Sequence, residues 1–126
     1  MAIPLTLGDC LNAEEALTRL AEQPAPPKVS YHVAKLLRLI RAETAHFHEQ
    51  RNALVRELGA PLPEKASEIA VTPENTATFV TRLNELARVE VAIDWTPLTL
   101  AEIDTFPTVR ADDLMRLGAC LNGDRV

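Results

Sequence analysis

Glycine is scarce in this chain: four residues in 126, each standing alone. Phosphate-cradling loops need clustered glycines for close backbone approach, so P-loop and dinucleotide-fingerprint chemistry is excluded. Cysteine is scarcer still. Cys10 and Cys120 are too few for a zinc site unaided, and the histidines do not stand at finger-like spacings from them. Two buried thiols are the expectation in a reducing compartment, with a disulfide tying the ends of the chain as the alternative. Aromatic residues make up 4% of the chain, which leaves the core to Leu, Val, Ile and Ala and suits helix packing. No apolar run approaches the ~20 residues of a membrane span. The N-terminus, Met1 to Thr6, has no basic stretch followed by an apolar one, so no signal peptide is expected. An excess of basic charge is also missing. The net charge is −5 and the pI about 5.2, which weighs against a nucleic-acid module. No Ser-His-Asp or Cys-His set carries a local signature, so no catalytic residue and no cofactor is assigned.

What the chain has is 47% hydrophobic and 25% charged residues, the balance of one folded domain over 1–126. Its dominant feature is the segment from Lys28 to Leu58, which contains no Pro and no Gly. Pro24-Ala25-Pro26-Pro27 bounds it on one side and Gly59-Ala60-Pro61 on the other. Val33, Ile40, Phe47 and Leu54 recur there every seven residues. The pattern predicts one amphipathic helix, ~45 Å long at ~1.5 Å per residue. A domain of this size has a radius of gyration near ~14 Å, so such a helix spans the molecule. Thr6, with Asp9 three residues on, marks an earlier helix that carries Leu7, Leu11, Ala13, Ala16, Leu17 and Leu20 and ends near Gln23; Gly8 in its first turn weakens this start and leaves Asp9 as the alternative cap. The short proline connector makes the two an antiparallel hairpin over 1–59. The first helix is too short to cover the second beyond about Glu43.

Residues 66–121 predict a smaller α+β part. Strands are expected at 68–71 and 89–93, paired with each other. Thr72-Pro73-Glu74 opens a helix to about Ala87 with Phe79, Val80, Leu83 and Leu86 inward. Thr99-Leu100-Ala101-Glu102 is a capping box, and Thr108 caps a last helix with Leu114, Met115 and Leu117. Trp95 closes the core, with a binding role as the alternative. The fold class is α+β, mainly helical, with a two- or three-stranded sheet and short C-terminal helices.

Lys28, Lys35, Arg38 and Arg41 form a basic half-face on the long helix with Tyr31 in its middle, and no acid intervenes before Glu43. That face suits an acidic protein partner. Further along, Phe47, Leu54 and Leu58 continue the apolar arc past the cover of the first helix, a surface for a partner or for self-association. Arg51 interrupts this arc. It is either buried against Glu14, Glu15 or Asp94, or snorkels to solvent, or lies in an oligomer interface. Two other classes compete. Glu43 and His46 make one E-x-x-H, with His48 nearby, but a di-iron site needs two such motifs and two more carboxylates. His46 and His48 diverge by ~200° on a helix and cannot share an ion. The basic half-face is also the only feature that would serve nucleic acid.

Several stretches resemble a group of small tailed-phage and prophage proteins of unknown function. They include Leu11-Asn12-Ala13, the run from Ala16 to Gln23, Pro27 to Lys35, Arg51-Asn52-Ala53-Leu54-Val55, Pro97-Leu98-Thr99-Leu100 and Asp112 to Leu117. The resemblance implies a phage setting, in the host cytoplasm or the virion. It also implies a non-enzymatic role by protein–protein contact, as a morphogenesis accessory or a binder of a host factor. It supplies no catalytic residues.

Overall fold

A computed structural model describes residues 2–64 and 67–121. The elements run β1 (Ala2–Thr6), α1 (Leu7–Ala21), α2 (Pro27–Leu58), β2 (Gly59–Pro61), β3 (Ile69–Val71), α3 (Thr76–Ala87), β4 (Glu90–Asp94), α4 (Leu100–Ile103) and α5 (Ala111–Arg116). Short 3-10 turns cover Pro73–Asn75 and Gly118–Cys120. The protein is mainly helical α+β, and α2 is one uninterrupted helix of 32 residues.

Each boundary has a local cause. Thr6 accepts from the Asp9 N–H and Asp9 accepts from the Thr6 N–H, both at 3.0 Å, so the box closes despite Gly8 inside it. Pro26 and Pro27 start α2, where a proline's missing N–H removes a donor that would lack an intrahelical partner. Gly59 ends it in an extended conformation that leads straight into β2. Contacts of Arg41 with Glu14 and Thr18 fix α1 antiparallel to α2.

The core lies between these helices and is closed by β1, β4 and the C-terminal segment. Leu17 and Leu20 of α1 meet Val33, Leu36 and Ile40 of α2, with Ile3, Leu98 and Leu117 beside them. Each such side chain contributes roughly 1.5–3 kcal/mol on burial. Thr44 is buried on the same arc because its hydroxyl donates back to the Arg41 carbonyl at 3.2 Å.

The strands pair differently from the expectation. β4 lies antiparallel to β1, with Ile3 opposite Ile93 and Leu5 opposite Val91. β3 instead pairs with β2, the Gly59-Ala60-Pro61 stretch that bounds the long helix, with Ala60 opposite Ala70. The sequence separation explains it: Leu62 donates to the Glu68 carbonyl, closing a local hairpin, while β1 brings the apolar partners that β4 needs.

Two helix starts also shift. The Thr72 hydroxyl donates to the Leu58 carbonyl instead of capping, so a 3-10 turn precedes α3. The last helix begins at Ala111, not behind Thr108, because Asp113 accepts from the Arg110 N–H. In α3, Phe79, Leu83 and Leu86 are half-buried, but Val80 is 48% exposed, contrary to the inward placement expected of it. The helix lies against α2 and α1 along one narrow stripe, and none of its residues is fully buried.

Candidate partner-binding face

The first half of α2 carries the assembled surface. Lys35 stands four residues from Tyr31 and three from His32, so it neighbours both on the helix surface. Trp95, just after β4, comes up against that side. Its ring meets Tyr31 edge-on at 6.3 Å between centroids and His32 at 5.8 Å. The Lys35 ammonium lies 5.6 Å from the Trp95 ring centroid, within cation–π range. Trp95 is half-buried and its indole N–H is enclosed without an acceptor among the described residues. Tyr31 remains 64% exposed.

His32 is the pin beneath this surface. Its Nε2 lies 2.8 Å from the Thr96 carbonyl, which can only accept, so Nε2 carries a proton. Its Nδ1 lies 2.6 Å from Oε2 of Glu102. The other oxygen of Glu102 accepts from the Thr99 N–H at 3.1 Å and closes the α4 capping box. One carboxylate therefore caps α4 and ties it to α2. Both ring nitrogens of His32 therefore face oxygen atoms of the protein.

The basic half-face is only partly available. Lys28 and Arg38 are exposed, without an ion pair among the described residues. Arg41 is drawn back to α1, with Nε 3.6 Å from Glu14 and Nη2 donating to Thr18 at 3.2 Å.

The distal half is not a free apolar surface. Phe47 and Leu54 are buried and Leu58 is half-buried. Helix α3 and the β2–β3 hairpin pack there, and Arg82 of α3 pairs with Glu57. This ion pair holds the Glu57 carboxyl below its usual range. Arg51 is exposed on the outer side and is not buried against Glu14, Glu15 or Asp94. Glu14 serves Arg41, and Glu15 serves Arg19 and Arg116.

The metal candidates do not converge. His46 is 71% exposed on its side chain, with Glu49 at 3.9 Å, and His48 stacks edge-on against Phe47. Among the described residues no group of three or more His, Cys, Asp and Glu is placed to hold an ion. Cys10 and Cys120 are both buried thiols. Burial pushes the Cys10 thiol up to about 12, helped by Glu43, Asp9 and Glu14, so it is no nucleophile near neutral pH. A groove of about 530 Å³ between α4 and α5 is lined by Leu100, Ile103, Val109 and Leu114 with Asp104, and it holds no acid–base pair.

His32 and Glu102 are site residues that the sequence pattern does not reveal, and Trp95 is one that it assigns first to the core. The capping box pointed to Glu102, but a box uses one carboxylate oxygen, and nothing in the sequence says where the other goes. No helix among the described residues is long and apolar enough to cross a membrane. Compared with protein-family models, curated proteins and solved structures, the chain matches none.

Proposed function

We propose that the protein is a non-enzymatic binding module that docks an acidic protein on the Tyr31–Trp95 face of α2. The observation that carries this reading is an exposed tyrosine braced edge-on by a tryptophan, beside Lys35 and flanked by Lys28 and Arg38. Rigid aromatics supply contact area at low entropic cost, and tyrosine, tryptophan and arginine are favoured binding anchors. The surrounding cations select acidic partners and speed encounter. The phage setting belongs to the same proposal, with a morphogenesis partner or a host factor as the bound protein.

A photo-crosslinking amino acid at position 31 tests it, with the same group at exposed Asn84 on α3 as control. The expected outcome is an acidic protein captured from position 31 alone and lost in a Lys35→Glu, Arg38→Glu variant. Identical capture from both positions, or capture indifferent to charge reversal, overturns the proposal.

A further inference from the structure

The two edges of the β1–β4 ladder are not equivalent. Leu7 donates to the Val89 carbonyl at 2.9 Å, continuing the register in which Leu5 faces Val91 and Ile3 faces Ile93. Antiparallel ladders alternate hydrogen-bonded and non-bonded pairs. Leu7–Val89, Leu5–Val91 and Ile3–Ile93 are therefore the bonded pairs. Pro4–Ala92 and Thr6–Glu90 are the non-bonded ones, with their backbone groups turned outward.

On β1 the outward edge is blocked. Pro4 has no N–H, and the Thr6 N–H is spent on Asp9. On β4 the outward groups of Glu90 and Ala92 have no hydrogen-bond partner among the described residues, and both residues are exposed. An open edge of this kind is a template for an added strand. Beside it, a groove of about 410 Å³ runs over the solvent face of the sheet, with Asp9 and Glu90 as its charged lining and no basic side chain. Ala92 leaves the way into this groove clear.

We propose that β4 binds an extended, basic segment of another protein by strand addition at Glu90–Ala92. Outward N–H and carbonyl groups supply the ladder. A lysine or arginine of the added strand beside Ala92 reaches over that small side chain towards Glu90 and Asp9. Charge decides the occupant. A second copy of this chain, net charge −5, would bring its own Glu90 to the same edge. The surface is separate from the Tyr31–Trp95 face and of opposite sign, so failure of either reading leaves the other standing.

The test uses the full chain and a short, blocked, fluorescent peptide alternating lysine and valine, with a glutamate–valine peptide as counterpart. Binding is read by anisotropy and by backbone amide shifts. The lysine peptide is expected to bind and to shift the amides of Glu90 and Ala92. The Ala92→Pro variant removes an outward N–H without touching the β1 ladder, and is expected to weaken binding by about tenfold or more. Glu90→Lys keeps the edge and reverses the charge. It is expected to weaken the lysine peptide and to improve the glutamate peptide, which separates the effect from misfolding. Equal binding by wild type and both variants overturns the proposal. So does shift of the amides by self-association alone, with a dimer by light scattering and no peptide bound.

Discussion

Asp113 on α5 holds Arg19 on α1 through two guanidinium nitrogens, Nε at 2.7 Å and Nη2, both donating to Oδ1. Its Oδ2 accepts from the Arg110 N–H at 3.3 Å. Asp113 is 2% exposed, and its carboxylate fastens the C-terminal segment to the hairpin and starts α5 at once. Asp113→Ala is expected to lower the unfolding free energy by about 2–3 kcal/mol, because a buried acceptor for three donors is lost. Asp112→Ala, which removes an exposed partner of Arg116, is expected to change little. Urea denaturation of the two variants checks the difference.

Glu102 and Asp9 occupy the same position in their capping boxes and do unequal work. Asp9 closes its box. Glu102 closes its box and also engages His32 on α2. Asp9→Ala is expected to cost about 1 kcal/mol and Glu102→Ala about 2 kcal/mol or more. In an His32→Ala background the excess for Glu102→Ala disappears, which a double-mutant cycle by chemical denaturation measures.

What pattern reading reached, and what it did not, follows from the range of each interaction. The helix of Pro27–Leu58 and both threonine boxes were legible because periodicity, proline brackets and capping act within a few residues. The partner of β4 was not, because β1 and β3 are both short strands with apolar residues and pairing is settled by tertiary contacts. The burial of Phe47 and Leu54 could be read from the arc, but not that α3 and the β2–β3 hairpin supply the cover. In the candidate site, Tyr31 and Lys35 stood out by spacing. Trp95 lies about sixty positions away, and only the fold sets it against them.

Gly59 and Gly118 make a matched pair of opposite sign. A Cβ at Gly59 would lie 2.4 Å from the Val55 carbonyl oxygen and 2.7 Å from that of Ala70, whereas one at Gly118 meets nothing within 4 Å. Both obstacles at Gly59 are backbone, so the β2–β3 hairpin must move. Gly59→Ala is expected to cost about 1–3 kcal/mol, and Gly118→Ala is expected to be tolerated. Thermal melting ranks them, and proteolysis of the Gly59→Ala variant is expected to begin near the hairpin.

Helix α3 has no fully buried residue, while α1 buries six. Local opening free energy follows the number of buried apolar contacts. Amide exchange is therefore expected to be fastest in α3 among the long helices, slower in the distal half of α2, and slowest around Leu17, Leu36 and Ile40. A uniform protection pattern from α1 to α3 would contradict this ordering.

Alkaline stability isolates Cys10. In the folded protein its thiol is pushed up to about 12, chiefly by burial and then by Glu43, Asp9 and Glu14. In the unfolded chain a thiol ionises near ~8.5. Between those values the folded state holds the proton and the unfolded state does not. The unfolded state therefore binds fewer protons, and stability falls as pH rises, by up to about 1.4 kcal/mol per pH unit. Below about pH 8 the term vanishes. Cys10→Ala removes it, so the variant is expected to start less stable than wild type at pH 7, from the lost side-chain contacts, and to close the gap by pH 10. Denaturant midpoints across that range check the sign, and a gap that stays constant with pH would show that Cys10 does not titrate as its burial requires.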